Sequence, residues 1–176
     1  MTNIAKARIR VPKGVTLSLH GWKLKAKGKH GELSILLPPY SFLSRDYAYL
    51  DFKAHNLSSA LYGTLLRKIQ ALLVGLVSEY RVDLNFVGVG YRAAIENNYF
   101  VFRLGYSHNI KHELDLNLKL RLVKRSLIRI KGINYEELNS YAYKLRSYRR
   151  PEPFKGKGII FNGESLRRKE GKKKKI

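Results

Sequence analysis

An α+β fold is what this sequence predicts: two tandem, similar small domains, each an antiparallel sheet with one packed helix, plus a basic C-terminal extension. Three observations carry that expectation. Short stretches of alternating apolar and polar residues open each half of the chain. Each half then closes in a segment where apolar residues recur at three- and four-residue steps, the two segments lying roughly 75 residues apart. Beyond residue 150 apolar residues thin out and lysines and arginines crowd in. The domains are therefore placed at 1–80 and 81–150, with the extension at 151–176, and the order of strands and then a helix, twice over, suggests an old duplication.

The first strand follows Pro12 and Gly14, where Val15, Leu17 and Leu19 alternate with Thr16, Ser18 and His20. After a turn at Gly21, Trp22, Leu24 and Ala26 alternate with Lys23, Lys25 and Lys27, which puts three lysines on one side of a second strand. Gly28 and Gly31 frame the next turn, Glu32–Leu37 is the third strand, and Pro38-Pro39 ends it. Tyr47–Ala54 alternates once more. The period then changes from two to about 3.6. Leu57, Leu61, Leu65, Ile69, Leu72 and Leu76 make one apolar stripe, with Asn56 or Ser58 as N-cap, so a core helix is expected over Leu57–Ser78.

In the second half Val82, Leu84 and Phe86 form a strand, and Gly88 and Gly90 mark a bend. Asn97-Asn98 is a turn signal between Tyr91–Glu96 and Tyr99–Leu104, the arms of a hairpin. Leu114–Leu122 alternates leucines with Asp115, Asn117, Lys119 and Arg121 and reads as a strand, as does Leu127–Lys131. Asn134 with Glu137 resembles a capping box opening a helix whose stripe is Leu138, Tyr141, Ala142 and Leu145. Lys144 and Arg146 suit its C-terminal dipole, and Pro151 closes it.

A formal charge of +22 on 176 residues, with 44% hydrophobic residues, describes a folded protein with a cationic skin. Such a balance points to nucleic acid or an anionic membrane surface. The absence of cysteine excludes disulfides, thiolate zinc sites and a cysteine nucleophile. The apolar window Ala71–Val77 follows Arg67, Lys68 and Gln70 and falls short of the ~20 residues that span a bilayer, so no transmembrane helix is expected. The opening MTNIAKARIRVPKG lacks the apolar core of a presequence; a version working in an organelle is expected to be made there.

No catalytic constellation is visible, and no cofactor is expected. His108 and His112 have i, i+4 spacing, but the stretch between them reads as extended, where that spacing does not converge on a metal. Ser107 beside His108 is adjacency without a nucleophile–base geometry. GVGYRA from Gly88 lacks the third glycine and the following helix of a dinucleotide loop, and KGKG lacks P-loop spacing.

The extension is where the charge is densest: from Arg146 to Ile176 there are twelve basic side chains against three acidic ones. Such a segment needs a polyanion to offset the entropy of ordering it. Pro151 and Pro153 are expected to stiffen its departure from the helix, and Gly156 and Gly158 alternate with Lys155 and Lys157 so that bare backbone can approach a phosphate. Tyr148, Phe154 and Phe161 either stack on unpaired bases or pin the segment to the second domain.

These residues carry a resemblance. PKGV at Pro12, KGKHGEL at Lys27, LYGTLLR at Leu61, VGVGYRA at Val87, LGYSH at Leu104, KGI at Lys131 and RRPEPFKGKGI at Arg149, followed by Glu164 and a basic run, resemble in order the landmarks of the bacterial-type large-subunit ribosomal protein six. The resemblance spans essentially the whole chain. It implies a non-catalytic constituent of the large ribosomal subunit, binding rRNA near the sarcin-ricin loop and the translation-factor site through the second domain and the extension. By position it implies RNA-facing roles for Arg149, Arg150, Lys155, Lys157, Arg167, Arg168 and Lys169, to which the terminal run adds Lys172 and Lys173. Neighbouring ribosomal proteins are implied partners, with translation factors nearby; no membrane and no small-molecule substrate is implied. The chain departs from the family pattern at Lys29, where a proline is common, and at Gln70-Ala71, where an asparagine pair is common, so first-domain contacts are not carried over. Its Lys-, Asn-, Ile- and Tyr-rich usage favours an organelle-encoded mitochondrial version over a bacterial one. The competing reading is a general DNA-packaging protein, which shares the charge and predicts no preference for folded rRNA; an RNA-modifying enzyme would need a cofactor site that is not found.

Overall fold

The computed structural model describes residues 8–39, 41–46, 49–54 and 58–171, with the backbone alone for 41–46, 49–54 and Ser59. The chain forms two units. One runs to Tyr80 and includes Ile133–Tyr135; the other comprises Arg81–Gly132 and the residues from Glu136 on.

The first unit holds two three-stranded antiparallel sheets. In one, β2 (Thr16–His20), β3 (Lys23–Gly28) and β4 (Gly31–Leu36) follow each other as a meander. In the other, β6 (Tyr49–Ala54) lies between β1 (Arg8–Arg10) and β5 (Ser41–Asp46). β1 and β5 are additions to the sequence reading. β1 has three residues with only Ile9 buried between two arginines, too little alternation to register as a strand. The expected strand from Tyr47 is described from Tyr49; Tyr47 and Ala48, like Asn56 and Leu57, lie outside the described residues.

Helix α1 spans Ser59–Val77 and is capped by Ser58, whose side chain accepts from Leu61 N at 3.4 Å. It packs on β3 and β4, burying Leu66, Ile69, Leu73 and Leu76 with Leu24, Ala26 and Leu37. The inward stripe is therefore 66, 69, 73 and 76, which corrects the expected one: Leu65 and Leu72 sit at its margin and Leu61 is 56% exposed. The clean 3.6-residue period around Ile69 selects the first set over the longer series of fours. Ala60–Val77, with mean hydropathy 1.4, is also long and apolar enough to cross a membrane by length and composition. The leucines further up the helix lengthen the apolar stretch beyond the seven-residue window, and the face made by Leu66, Ile69, Leu73 and Leu76 is the one packed in the core.

The second unit also holds two antiparallel sheets. β8 (Arg92–Glu96), β9 (Tyr99–Arg103) and β10 (Ile110–Glu113) form one. The turn between β8 and β9 is Asn97-Asn98, with φ of 44° and 66°, the left-handed pair that a two-residue hairpin turn demands. The other sheet has the order β11 (Lys119–Lys124), β12 (Leu127–Gly132), β7 (Tyr80–Val87), β13 (Gly158–Phe161). Helix α2 (Tyr135–Ser147) starts directly after Asn134 and buries the expected Leu138, Tyr141, Ala142 and Leu145. Phe86, Phe100 and Phe102 stack at centroid distances of 5.5–5.6 Å among the buried residues of this unit.

The strand expected over Leu114–Leu122 is not one element. Asp115 accepts from Asn117 N through its carboxylate at 3.0 Å and from Leu118 N through its carbonyl at 3.2 Å, so residues 115–118 turn. Leu116 is consequently 87% exposed and Leu118 only 6%. Strict leucine alternation masked an Asx turn.

Candidate nucleic-acid interface

α2 ends in a tightened turn, with Tyr148 N and Arg149 N donating to Leu145 O and Arg146 O at 3.3 Å. Pro151 and Pro153 do not then release an extended arm. Glu152 N donates to Lys157 O at 2.8 Å and Gly156 N to Glu152 O at 3.0 Å, closing a loop with exposed Phe154 and Lys155 at its tip. Ile159 N donates to Arg149 O at 2.9 Å as the chain enters β13, which pairs antiparallel with β7 in the register Gly158↔Val87 to Phe161↔Leu84. Gly158 thus opens a sheet-edge strand, where the sequence suggested that Gly156 and Gly158, alternating with Lys155 and Lys157, offer bare backbone to a phosphate.

After β13 the chain turns at Asn162-Gly163 and comes back. Glu164 holds this turn: one carboxylate oxygen takes Arg146 Nη2 at 2.6 Å and the other takes Phe161 N at 3.2 Å. The Arg146 guanidinium also lies 5.2 Å over the Phe161 ring, and Tyr143 meets that ring edge-on at 5.0 Å. Lys169 N finally reaches Pro153 O at 2.9 Å, so the returning strand of chain lies against the 152–157 loop. Of the three aromatics in question, Phe161 packs, Tyr148 sits beside Phe102 and His112, and Phe154 is 58% exposed.

This folding brings Arg150, Lys155, Arg167, Arg168 and Lys169 to the surface as exposed side chains, with Lys157 half-buried. Arg149 differs from them. Its guanidinium lies 4.8 Å over the Tyr106 ring and 3.7 Å from Glu152, while the Tyr106 hydroxyl donates to Tyr148 O at 3.0 Å. Arg149 is therefore held in place by LGYSH, a contact across 43 positions that no local pattern signals. Lys172 and Lys173 lie outside the described residues.

Asp83 is the buried acid of this unit. Arg81 grips both its oxygens, and Arg129 binds them at 3.0 and 3.2 Å. Hydrogen bonding from Arg81, opposed by burial and reinforced by Arg129, holds the carboxyl down at about 2. A carboxylate depressed on folding stabilises the fold above its unfolded value and loses that contribution as pH falls through the folded value. Acid unfolding followed by circular dichroism is expected to show a loss on the order of 2 kcal/mol between pH ~4 and ~2, which Asp83→Asn removes.

No cluster of three or more His, Cys, Asp or Glu side chains suited to a metal occurs among the described residues. Ser107 Oγ does approach His108 Nδ1, but at 3.4 Å on the exposed surface, longer than a nucleophile–base bond. His112 is buried on β10, its Nδ1 2.7 Å from the Tyr148 hydroxyl; burial, then the Lys144 charge, push its pKa down.

Residues 87–161 match the family model for ribosomal protein L6. Over 177 aligned positions, covering 99% of this chain and the whole of each relative, it is 34% identical to large ribosomal subunit protein uL6 of Methylorubrum populi and 35% identical to that of Haemophilus influenzae. The chain belongs to the ribosomal protein L6 family. The L6 family is structural and non-enzymatic. The Pasteurella multocida relative, at 36% identity, is likewise aligned through both units. The family model ends at Phe161, the last residue of β13, so the edge strand belongs to the matched L6 region.

Proposed function

We propose that this L6 chain is a structural constituent of the large ribosomal subunit whose second unit and folded tail bind large-subunit rRNA near the sarcin-ricin loop and the translation-factor site. The observation that carries the reading is the convergence of Arg150, Lys155, Arg167, Arg168 and Lys169, exposed, on a loop and a returning segment tied together by Lys169 N and Pro153 O. Five cations held on an ordered backbone meet a phosphate array without first having to order a tail. Phe154, exposed at the loop tip, is the side chain available to stack on an unpaired base. Neighbouring large-subunit proteins are the expected protein partners, and the ribosome is the expected location. The reported relatives are bacterial, so the organelle-encoded reading rests on composition alone.

Replacing Arg150, Lys155, Arg167 and Lys169 together by glutamine is expected to lower the slope of log affinity against log salt for large-subunit rRNA by about 3. An unchanged slope contradicts the assignment. Equal competition by duplex DNA favours the packaging alternative.

A further inference from the structure

The β2–β3–β4 register sorts the first unit's meander onto two faces. Leu24 and Ala26 of the central strand turn toward α1 and are buried, at 1% and 0% exposure. The intervening residues Lys23, Lys25 and Lys27 therefore point to the opposite face, about 7 Å apart along the strand. Their cross-strand neighbours are His20, Ser18 and Thr16 on β2 and Leu36, Ser34 and Glu32 on β4, all polar but Leu36. Lys25, half-buried, is flanked in the register by Ser18 and Ser34, both exposed, so hydroxyl side chains border it on either strand. Lys27 faces Glu32, the carboxylate of this face, yet none of the three lysines forms an ion pair among the described residues.

Three like charges on alternate positions of one strand repel one another, and one glutamate at the edge leaves them under-neutralised. We infer that this open sheet face is a second RNA-binding surface, gripping the phosphate backbone of large-subunit rRNA without reading bases. A regular row of ammonium groups with flanking hydroxyl donors complements a row of phosphates. An acidic protein fits less well, because a stable protein interface has an apolar centre and the large apolar side chain here is Leu36, at one end of the face. The inference rests on the ribosomal reading for its choice of RNA, and it adds a contact in the unit to which that reading assigns none.

The test uses the full chain and large-subunit rRNA. Replacing Lys23, Lys25 and Lys27 by glutamine is expected to lower the salt slope by about 2 to 3, and replacing all three by arginine to preserve it. Fluorescence of Trp22, the single tryptophan, reports that the meander is folded in each variant. On the unaltered chain, the same three lysines are expected to resist acetylation by an amine-reactive ester when rRNA is bound. An unchanged slope for the glutamine variant, or equal acetylation with and without rRNA, overturns the second surface. If the tail variant still lowers the slope, the proposed function stands without it; if neither variant does, both fall.

Discussion

Replacing Gly158 by alanine is expected to detach β13 and destabilise the second unit by about 3 kcal/mol or more. The residue has φ of +146°, a region that residues other than glycine rarely enter. A Cβ there would also lie 2.6 Å from Pro151 Cα, 2.7 Å from Pro151 N and 2.8 Å from Arg150 O. All three are backbone atoms, so no rotamer change relieves the clash. The loop that carries Lys155 is anchored by the same strand, and loss of that anchor disperses the exposed cations. Hydrogen exchange at the amides of Ile159 and its neighbours measures the effect directly, with an acceleration of roughly 100-fold or more expected at equal pH. Unaltered exchange at those amides would show that the approach to Pro151 is not as tight as described.

The second large effect has a built-in control. Gly63 and Gly75 both lie inside α1, where alanine ordinarily improves a helix by about 0.5–1 kcal/mol. A Cβ at Gly63 meets nothing within 4 Å, so Gly63→Ala is expected to show that gain. At Gly75 a Cβ would stand 2.1 Å from the carbonyl oxygen of Ile133 and 3.0 Å from the Tyr80 ring. Gly75→Ala is expected to cost about 3 kcal/mol as helix and segment are forced apart. Denaturant midpoints followed by Trp22 fluorescence report on this unit, and the two substitutions should move them in opposite directions. A shift of the same sign in both would deny that Ile133 packs against the helix.

What was legible beforehand follows from the range of the interactions. The meander, both helices and the Asn97-Asn98 turn are written in period, caps and turn residues a few positions apart, and those survive into the structure. The Leu114–Leu122 strand misled because an Asx turn at Asp115 can hide inside a perfect alternation of leucines. The tail was read correctly as cationic and incorrectly as an outgoing arm. Its course is set by Arg146 with Glu164, Arg149 with Tyr106 and β13 with β7, pairs separated by up to roughly 75 positions that leave no local trace. The Arg81–Asp83 pair was within reach, since residues two apart on a strand share a face, but the second arginine, Arg129, comes from another strand altogether.

Charge and family point the chain toward RNA; under the proposed function the second unit meets it through a pre-folded cationic surface, with the tail as part of the fold and not a tether. Ultraviolet cross-linking of assembled large subunits, with the cross-linked peptides identified by mass spectrometry, tests this most directly. The account predicts rRNA adducts on peptides between Arg150 and Lys169, Phe154 foremost among them. Adducts confined to other parts of the chain, with those peptides free of nucleotide, would contradict it.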